Sequence, residues 1–126
     1  MKQFLLIDDD EIICIVHPAI IRQAFPDSQI NIIKSSIEAL EYLKTLAATN
    51  EPAPDVIFLD INLPQMSGFE LLEKLSEEDI NYLKNSKIYM LSSSIDQRDL
   101  DRVAANKMVI GFVGKPLSMD FMKSNF

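Results

Sequence analysis

The stretch VIFLDINLPQMSGFELL, residues 56–72, decides the fold, because it joins an apolar run to a carboxylate and then to a helix. Val56–Leu59 shows no alternation of apolar and polar residues, which is typical of a strand buried on both faces of a sheet. Asp60 follows at the carboxyl end of that strand. Residues 64–68 have the composition of a loop, and Ser67 is the predicted cap of the next helix. Asp60 either opens a turn, as Asp often does, or has a chemical role.

Four further apolar runs have the length and the branched or aromatic content of strands. They are Phe4–Ile7, Ile30–Ile33, Ile88–Leu91 and Val109–Val113. Segments with a helical spacing of apolar residues lie between the runs. Strand and helix alternate five times, which predicts an α/β protein with a parallel sheet and helices on both faces.

Three of the intervening segments carry helix signals. Residues 35–50 contain an apolar stripe formed by Ile37, Leu40, Leu43 and Ala47. Ser36 is the predicted cap of that helix. Residues 67–86 are predicted to form one helix with an irregular end. In residues 96–107, Asn106 suits a left-handed helix end.

The predicted first helix, EIICIVHPAIIRQAF at residues 11–25, contains Pro18. Proline inside a helix removes the hydrogen bond to the Cys14 carbonyl and clashes with it, at a cost of about 3 kcal/mol. We therefore expect a kink or break near residues 14–18. His17 is the single histidine and lies at that point. A structural or solvent-exposed role is expected for it rather than a catalytic one.

The size and charge of the chain limit its function. A length of 126 residues suits one domain, residues 1–126, with a single core. The net charge of −7 disfavours direct binding of nucleic acid and favours cations or basic partner surfaces. No apolar stretch approaches the roughly 18 residues of a membrane span, so no membrane association is expected. The one cysteine, Cys14, excludes an internal disulfide and is compatible with the cytoplasmic location that we expect.

Five polar side chains lie where the predicted strands end. They are Asp8, Asp9, Asp60, Ser92 and Lys115. The carboxyl ends of parallel strands meet at one edge of a sheet, and ligands bind there. Taken singly, the acidic residues 8–10 could cap a helix and Lys115 could be a surface lysine. Three carboxylates, a hydroxyl and an ammonium at one edge require a joint explanation.

Phosphoryl transfer explains this set of groups. Three neighbouring carboxylates repel one another unless a proton or a cation binds. Mg²⁺ prefers a few carboxylate or carbonyl oxygens and keeps several waters. A carboxylate can also attack a phosphoryl group to form an aspartyl phosphate, a reaction that requires charge neutralisation. The set therefore predicts Mg²⁺-dependent transfer to Asp60, with Lys115 and the Ser92 hydroxyl binding phosphoryl oxygens.

Along nearly its whole length the chain resembles the receiver domains of two-component response regulators, the CheY-like proteins. Four motifs in the family's order and spacing carry the resemblance: FLLIDDDEI, VIFLDINLPQMSGFELL, YMLSSS and GFVGKPL. The stretches LIDDDEI, HPAIIRQAF and LSSSID are similar to those of stand-alone receivers. The resemblance implies a doubly wound, flavodoxin-like sheet of five parallel strands in the order 2-1-3-4-5.

The resemblance also implies an acceptor and a metal site. By this similarity Asp60 is the phosphoacceptor. Asp8 and Asp9 would hold Mg²⁺ together with Asp60, and Asp9 would bind it directly. Asn62 would contribute its backbone carbonyl to the metal.

Three further residues would bind the phosphoryl group or respond to it. Ser92 and Lys115 would bind the phosphoryl oxygens, and the Lys115–Pro116 peptide bond would be cis, as is usual in the family. Ser92 would be coupled to an aromatic switch residue, Phe112, where many relatives have tyrosine.

The segment after Pro116 is shorter than the family's last helix, which predicts a short or truncated final helix.

The implied function is that of a signalling module rather than an enzyme. A histidine kinase or a histidine phosphotransfer protein would donate the phosphoryl group, and a monomer or phosphorylation-dependent dimer would then change its binding partner. Two alternatives remain. A haloacid-dehalogenase-like phosphatase would use Asp8 and Asp10 but would leave Asp60 without a role. A pseudo-receiver would bind partners without phosphorylation.

Overall fold

A five-stranded sheet forms the centre of the molecule. The structure, a computed structural model, describes residues 2–94 and 96–126. The strands are β1 (Gln3–Ile7), β2 (Gln29–Ile33), β3 (Val56–Asp60), β4 (Lys87–Ser92) and β5 (Val109–Gly114). Each predicted run is a strand, longer than predicted by one residue at one or both ends.

The described residues form six helices. They are α1 (Ile13–Ala24), α2 (Ser36–Thr49), α3 (Gly68–Glu73), α4 (Glu77–Tyr82), α5 (Gln97–Ala105) and α6 (Met119–Asn125). Within residues 2–94 and 96–126 there is no helix whose length and apolar character would allow it to cross a bilayer.

All neighbouring strands are parallel, in the order β2-β1-β3-β4-β5. This confirms the predicted α/β class and the doubly wound, flavodoxin-like order 2-1-3-4-5. Ile7 of β1 lies beside Leu59 of β3, and Asp60 lies beside Leu91 of β4. The residues that end β1, β3 and β4 therefore meet at one edge of the sheet.

Helices cover both faces of the sheet, which explains the apolar runs without alternation. One face packs with α2, α3 and α5; its buried residues include Leu5, Ile7, Leu59, Met90, Leu43, Phe69 and Val103. The other face packs with α1 and α6; its buried residues include Phe4, Leu6, Phe58, Leu91, Ile21 and Met122. Consecutive residues of the central strands alternate between these two cores.

A β-bulge interrupts the pairing of β4 with β5. Ile88 pairs with Val109, but the next residue, Tyr89, pairs with Gly111. Ile110 is therefore the extra residue, and its side chain is 56% exposed. Because of the bulge, Val109 and Phe112 pack against the same core although their separation in sequence is odd.

The break expected near Pro18 does not occur. Helix α1 is continuous from Ile13 to Ala24, with Pro18 inside it. Pro18 cannot donate to the Cys14 carbonyl, and its ring crowds that carbonyl. Cys14 lies in the first turn of α1, so the disturbance falls at the end of the helix and leaves the later turns intact. Burial of Pro18 and Ile21 against the rest of the molecule holds the helix in place.

The single helix expected over residues 67–86 is two helices. Ser67 caps α3 as predicted, since its hydroxyl accepts the Glu70 N–H at 3.2 Å. Ser76 then caps α4, and its hydroxyl accepts the Asp79 N–H at 3.2 Å while Asp79 accepts the Ser76 N–H at 3.0 Å. This reciprocal pair of hydrogen bonds, a capping box, starts the new helix α4 instead of extending α3.

Three details of the other helices also differ from the prediction. Ser35, not Ser36, caps α2, because its hydroxyl accepts the Glu38 N–H. Ile37, predicted to lie on the apolar stripe, is 44% exposed, and Ala39 takes its place in the core. Asn106 ends α5 in an extended conformation, not a left-handed one.

Candidate functional site

Three carboxylates converge at the carboxyl edge of the sheet, as the sequence predicts. Asp8 directly follows β1, and Asp60 ends the adjacent strand β3. One carboxylate oxygen each from Asp8, Asp9 and Asp60 lies within 4.8 Å of the others. Asp8 and Asp60 are both 3% exposed, whereas Asp9 lies at the surface. The result is an acidic pocket with two buried groups and one group open to solvent.

Lys115 reaches this pocket from the end of β5. Its ammonium lies 2.7 Å from Asp8 Oδ2 and 3.1 Å from Asp60 Oδ2. The Lys115 N–H donates to the Ser92 carbonyl at 2.9 Å, which fixes the main chain beside β4. The Lys115–Pro116 peptide bond is cis, as the resemblance implies.

The charged groups in the pocket shift the pKa values of Asp60 and Lys115. Burial, and then the neighbouring Asp8, raise the pKa of Asp60, although the Asn62 N–H and the Lys115 ammonium act against this shift. Burial alone would lower the pKa of Lys115, but hydrogen bonding and the charges of Asp8 and Asp60 raise it overall. With all groups ionised, three carboxylates and one ammonium leave a formal charge of −2, which one divalent cation would balance.

Asn62 and Ser92 line the pocket beside Asp60. The Asn62 N–H donates to Asp60 Oδ1 at 3.1 Å, and the Asn62 side-chain amide lies 3.5 Å from the Ser92 hydroxyl. Ser92 is 1% exposed. Its hydroxyl donates to the Ser94 carbonyl at 2.7 Å and accepts the Ser94 N–H at 3.2 Å. The hydroxyl is thus bonded to its own loop and would have to rotate to reach a group on Asp60.

Phe112 lies on β5, separated from Asp60 on β3 by the intervening strand β4. It pairs with Met90 of β4 and is half-buried against the core formed with α2, α3 and α5. A half-buried aromatic ring has room to move inward or outward. The coupling of Phe112 to Ser92 stays a prediction.

Asp10 bonds to the start of α1 and is not one of the three clustered carboxylates. Its Oδ1 accepts the N–H groups of Ile12 at 2.9 Å and Ile13 at 3.2 Å, at the start of α1. It therefore satisfies two unpaired amides at the helix end. An Asp-x-Asp phosphatase centre built from Asp8 and Asp10 finds no support in this arrangement.

Gly68 holds the loop after Asp60 close to the sheet, a role that the sequence reading missed. Its N–H donates to the Ile61 carbonyl at 2.9 Å. A Cβ at this position would lie 2.5 Å from the Asp60 carbonyl oxygen and 2.8 Å from Met90 Cε. The sequence predicts only a loop at residues 64–68, because the contact of Gly68 with Asp60 depends on the way in which α3 packs.

Ser36 anchors the same loop from α2. Its buried hydroxyl donates to the Pro64 carbonyl at 3.0 Å and accepts the Met66 N–H at 3.2 Å. The sequence suggested a helix cap at this position, because serine before an apolar stripe is a capping signal. Nothing in the local pattern indicates a partner 28 residues away.

The comparisons with known proteins agree with this geometry. The family model of the response regulator receiver domain matches residues 4–125. A two-component response regulator from Cytophaga hutchinsonii shares 31% identity with a TM-score of 0.85, over 98% of this chain and 92% of that one. The chemotaxis protein CheY of Listeria monocytogenes is 27% identical over 95% of this chain and 91% of its own length.

A curated relative in Vibrio cholerae shares a higher identity over a shorter stretch. This protein, described as an uncharacterized response regulatory protein, is 38% identical over 78 residues. The match covers 62% of this chain and 30% of the Vibrio protein. Since the family model spans almost all of the described residues, the chain belongs to the response regulator receiver domain family, the CheY-like signalling modules of two-component systems.

Proposed function

We propose that this chain accepts a phosphoryl group on Asp60 and changes its binding partners in response. The observation that carries the proposal is the environment of the Asp60 carboxylate, which is buried at the end of β3, 3.1 Å from the Lys115 ammonium and next to two further acids. Membership of a family of signalling modules supports it. The phosphoryl donor would be a histidine kinase or a histidine phosphotransfer protein.

In the proposed reaction, an Asp60 oxygen attacks the phosphorus of a phosphohistidine. An O–P bond forms while the P–N bond breaks, and the electron pair leaves with the imidazole nitrogen, which takes up a proton. Lys115 is held protonated by its acidic neighbours and stabilises the negative charge of the transferred group. The Ser92 hydroxyl rotates away from the Ser94 carbonyl and donates to a phosphoryl oxygen.

The donor set of the pocket fits Mg²⁺. Asp8 Oδ2 is buried and, among the described residues, has no hydrogen-bond donor other than the nearby Lys115 ammonium. We propose that Asp8, Asp9, Asp60 and the Asn62 backbone carbonyl bind the ion, which would supply charge neutralisation. The fold neighbour Rcp1, 22% identical with a TM-score of 0.71, has been crystallised in a Mn²⁺-bound form. Mn²⁺ and Mg²⁺ share a preference for carboxylate oxygens.

Mass spectrometry of the purified protein tests the assignment of the acceptor. With acetyl phosphate or phosphoramidate and Mg²⁺, the wild type is expected to gain one phosphoryl group and Asp60→Asn none. Asp10→Asn is the matched control, because its carboxylate caps α1 and is not one of the three clustered carboxylates, and it should be modified like the wild type.

The outcomes of this experiment separate the alternatives. Modification that persists in Asp60→Asn but disappears in Asp8→Asn would favour the phosphatase. A wild type that is never modified would favour a pseudo-receiver. A labile adduct confined to Asp60 would exclude both.

The proposed output begins at Ser92. A single charge-assisted hydrogen bond of roughly 1.5–3 kcal/mol can shift a two-state population by about ten- to a hundredfold. Movement of Ser92 toward the phosphoryl group would vacate space beside β4, and the half-buried Phe112 could fill it. Beryllofluoride should therefore shift the NMR signals of residues 92–99, of which residue 95 lies outside the described residues, and of Phe112 more than those of α2. Shifts confined to the loop after Asp60 would contradict the switch but not the phosphorylation.

A further inference from the structure

His17 lies in the second turn of α1 and contacts a distant part of the chain. It is 1% exposed. Its Nε2 accepts the N–H of Leu117 at 3.0 Å, across 100 residues of sequence. Leu117 is itself 2% exposed, so this amide has no access to water. Without His17, the amide would be a buried donor in need of another partner.

The hydrogen bond requires a neutral imidazole, and the surroundings of His17 favour one. Burial, assisted by the charge of Lys115, lowers the pKa of His17 to about 4, although Asp8 and Asp10 act in the opposite direction. At neutral pH the ring is uncharged, and Nε2 carries a lone pair that can accept the Leu117 N–H.

The bonded amide lies two residues after Lys115. Pro116 has no N–H, so Leu117 provides the first backbone donor beyond Lys115. On the other side, the Lys115 N–H donates to the Ser92 carbonyl at 2.9 Å. The main chain that carries the Lys115 ammonium is therefore fixed at two points, one on β4 and one on α1.

We propose that His17 is a positioning residue for phosphoryl transfer. By accepting the Leu117 N–H, it holds the segment after β5 so that the Lys115 ammonium stays between Asp8 and Asp60. This role rests on the proposed phosphorylation of Asp60. His17 touches neither the acceptor nor the phosphoryl group and acts only through the position of Lys115.

Two substitutions of His17 separate the hydrogen bond from simple packing. His17→Leu fills much of the site but cannot accept a hydrogen bond, whereas the amide oxygen of His17→Gln can replace Nε2. His17→Leu should lower the rate of phosphorylation by phosphoramidate by roughly tenfold or more, because a misplacement of about 1 Å can cost a hundredfold. His17→Gln should remain close to the wild-type rate. Equal rates for His17→Leu and the wild type would overturn the proposal.

Two further measurements distinguish positioning from a general loss of structure. Mg²⁺ affinity, measured by titration calorimetry, should not be weaker in His17→Leu than in the wild type, because the proposed metal ligands lie on other segments and displacement of the Lys115 ammonium removes a positive charge next to Asp8 and Asp60. In a Lys115→Ala background, His17→Leu should cause little additional loss, since its effect passes through Lys115. Weakened Mg²⁺ binding, or fully additive losses of rate, would mean that His17 is merely structural.

A direct observation of the hydrogen bond guards against a variant that fails to fold. In uniformly ¹⁵N-labelled wild-type protein, the N–H···N contact should give a measurable scalar coupling between the Leu117 nitrogen and His17 Nε2. Absence of that coupling would refute the proposal. A wild type that is never phosphorylated would refute the proposed function, and the positioning role with it. A phosphorylated wild type with an equally fast His17→Leu would refute the positioning role alone.

Discussion

The surroundings of Asp60, the proposed phosphoacceptor, depend on residues that lie outside the cluster of three carboxylates. Burial and Asp8 make ionisation of Asp60 more difficult, while the Asn62 amide and the Lys115 ammonium favour it. The position of each of these groups depends in turn on the backbone. Gly68 permits the close approach of the loop to the Asp60 carbonyl, and His17 holds the chain beyond Lys115.

In His17→Gln, the free energy of unfolding should fall less with decreasing pH than it does in the wild type. The unfolded chain protonates His17 near its usual pKa of 6.5, but the folded protein does so only at about 4. The stability contributed by the neutral ring is therefore present above about pH 6.5 and is lost as the pH falls from there through about 4. Urea unfolding from about pH 7.5 to 4.5 should show a difference of about 2–3 kcal/mol between the two proteins that develops over this range. Parallel pH profiles for wild type and variant would contradict this assignment.

Gly68→Ala should destabilise the protein by roughly 1–3 kcal/mol, since its Cβ would overlap the Asp60 carbonyl oxygen, a main-chain atom that cannot simply rotate away. Gly111→Ala is the matched control. Its Cβ would meet only the Tyr89 ring, at an ordinary contact distance of 3.7 Å. Chemical unfolding of the two variants measures the difference, and equal stabilities would show that the loop adjusts freely.

At the level of elements, the strands were easier to predict than the helices. The central strands β1, β3 and β4 are buried apolar runs, and such runs without alternation mark a strand to within one residue at each end. Helix bounds depend on competing signals. Ser76 and Asp79 form a capping box inside a segment whose apolar spacing continues, and Pro18 affects only the first turn of α1.

Ser76→Ala should lower the free energy of unfolding by about 1 kcal/mol, because it removes the hydroxyl that accepts the Asp79 N–H at the start of α4. Ser76→Asn should retain most of the stability, as asparagine is an equally good cap. Thermal or urea unfolding compares the three proteins. If alanine is tolerated as well as asparagine, the boundary between α3 and α4 does not depend on this cap.

At the level of the whole molecule, topology made most of the site predictable. Parallel strands end at one edge, so acids after β1 and β3 and a lysine after β5 had to approach one another. The contacts made by Ser36 and His17 could not be predicted in the same way. Their partners lie 28 and 100 residues away in positions that depend on how the helices pack.

Magnesium should stabilise the folded protein, because the acidic pocket exists only when β1 and β3 are paired. At a hundredfold excess over the dissociation constant the gain is about 2.7 kcal/mol. Thermal melts with and without Mg²⁺ would reveal it. Asp9→Ala should lose most of the shift, whereas Asp10→Ala, which alters only the start of α1, should retain it. A wild-type melting temperature that does not respond to Mg²⁺ would count against the site.

Ile110 makes β5 tolerant of one particular deletion. Removal of this residue would join Val109 directly to Gly111 and convert the bulge into regular pairing, while Phe112 kept its partner Met90. Loss of any single residue after the bulge would instead turn every later side chain of the strand to the opposite face. Homologues that are one residue shorter at this point could therefore share the same core and the same lysine position, so a gap there in an alignment would mark a neutral change of length.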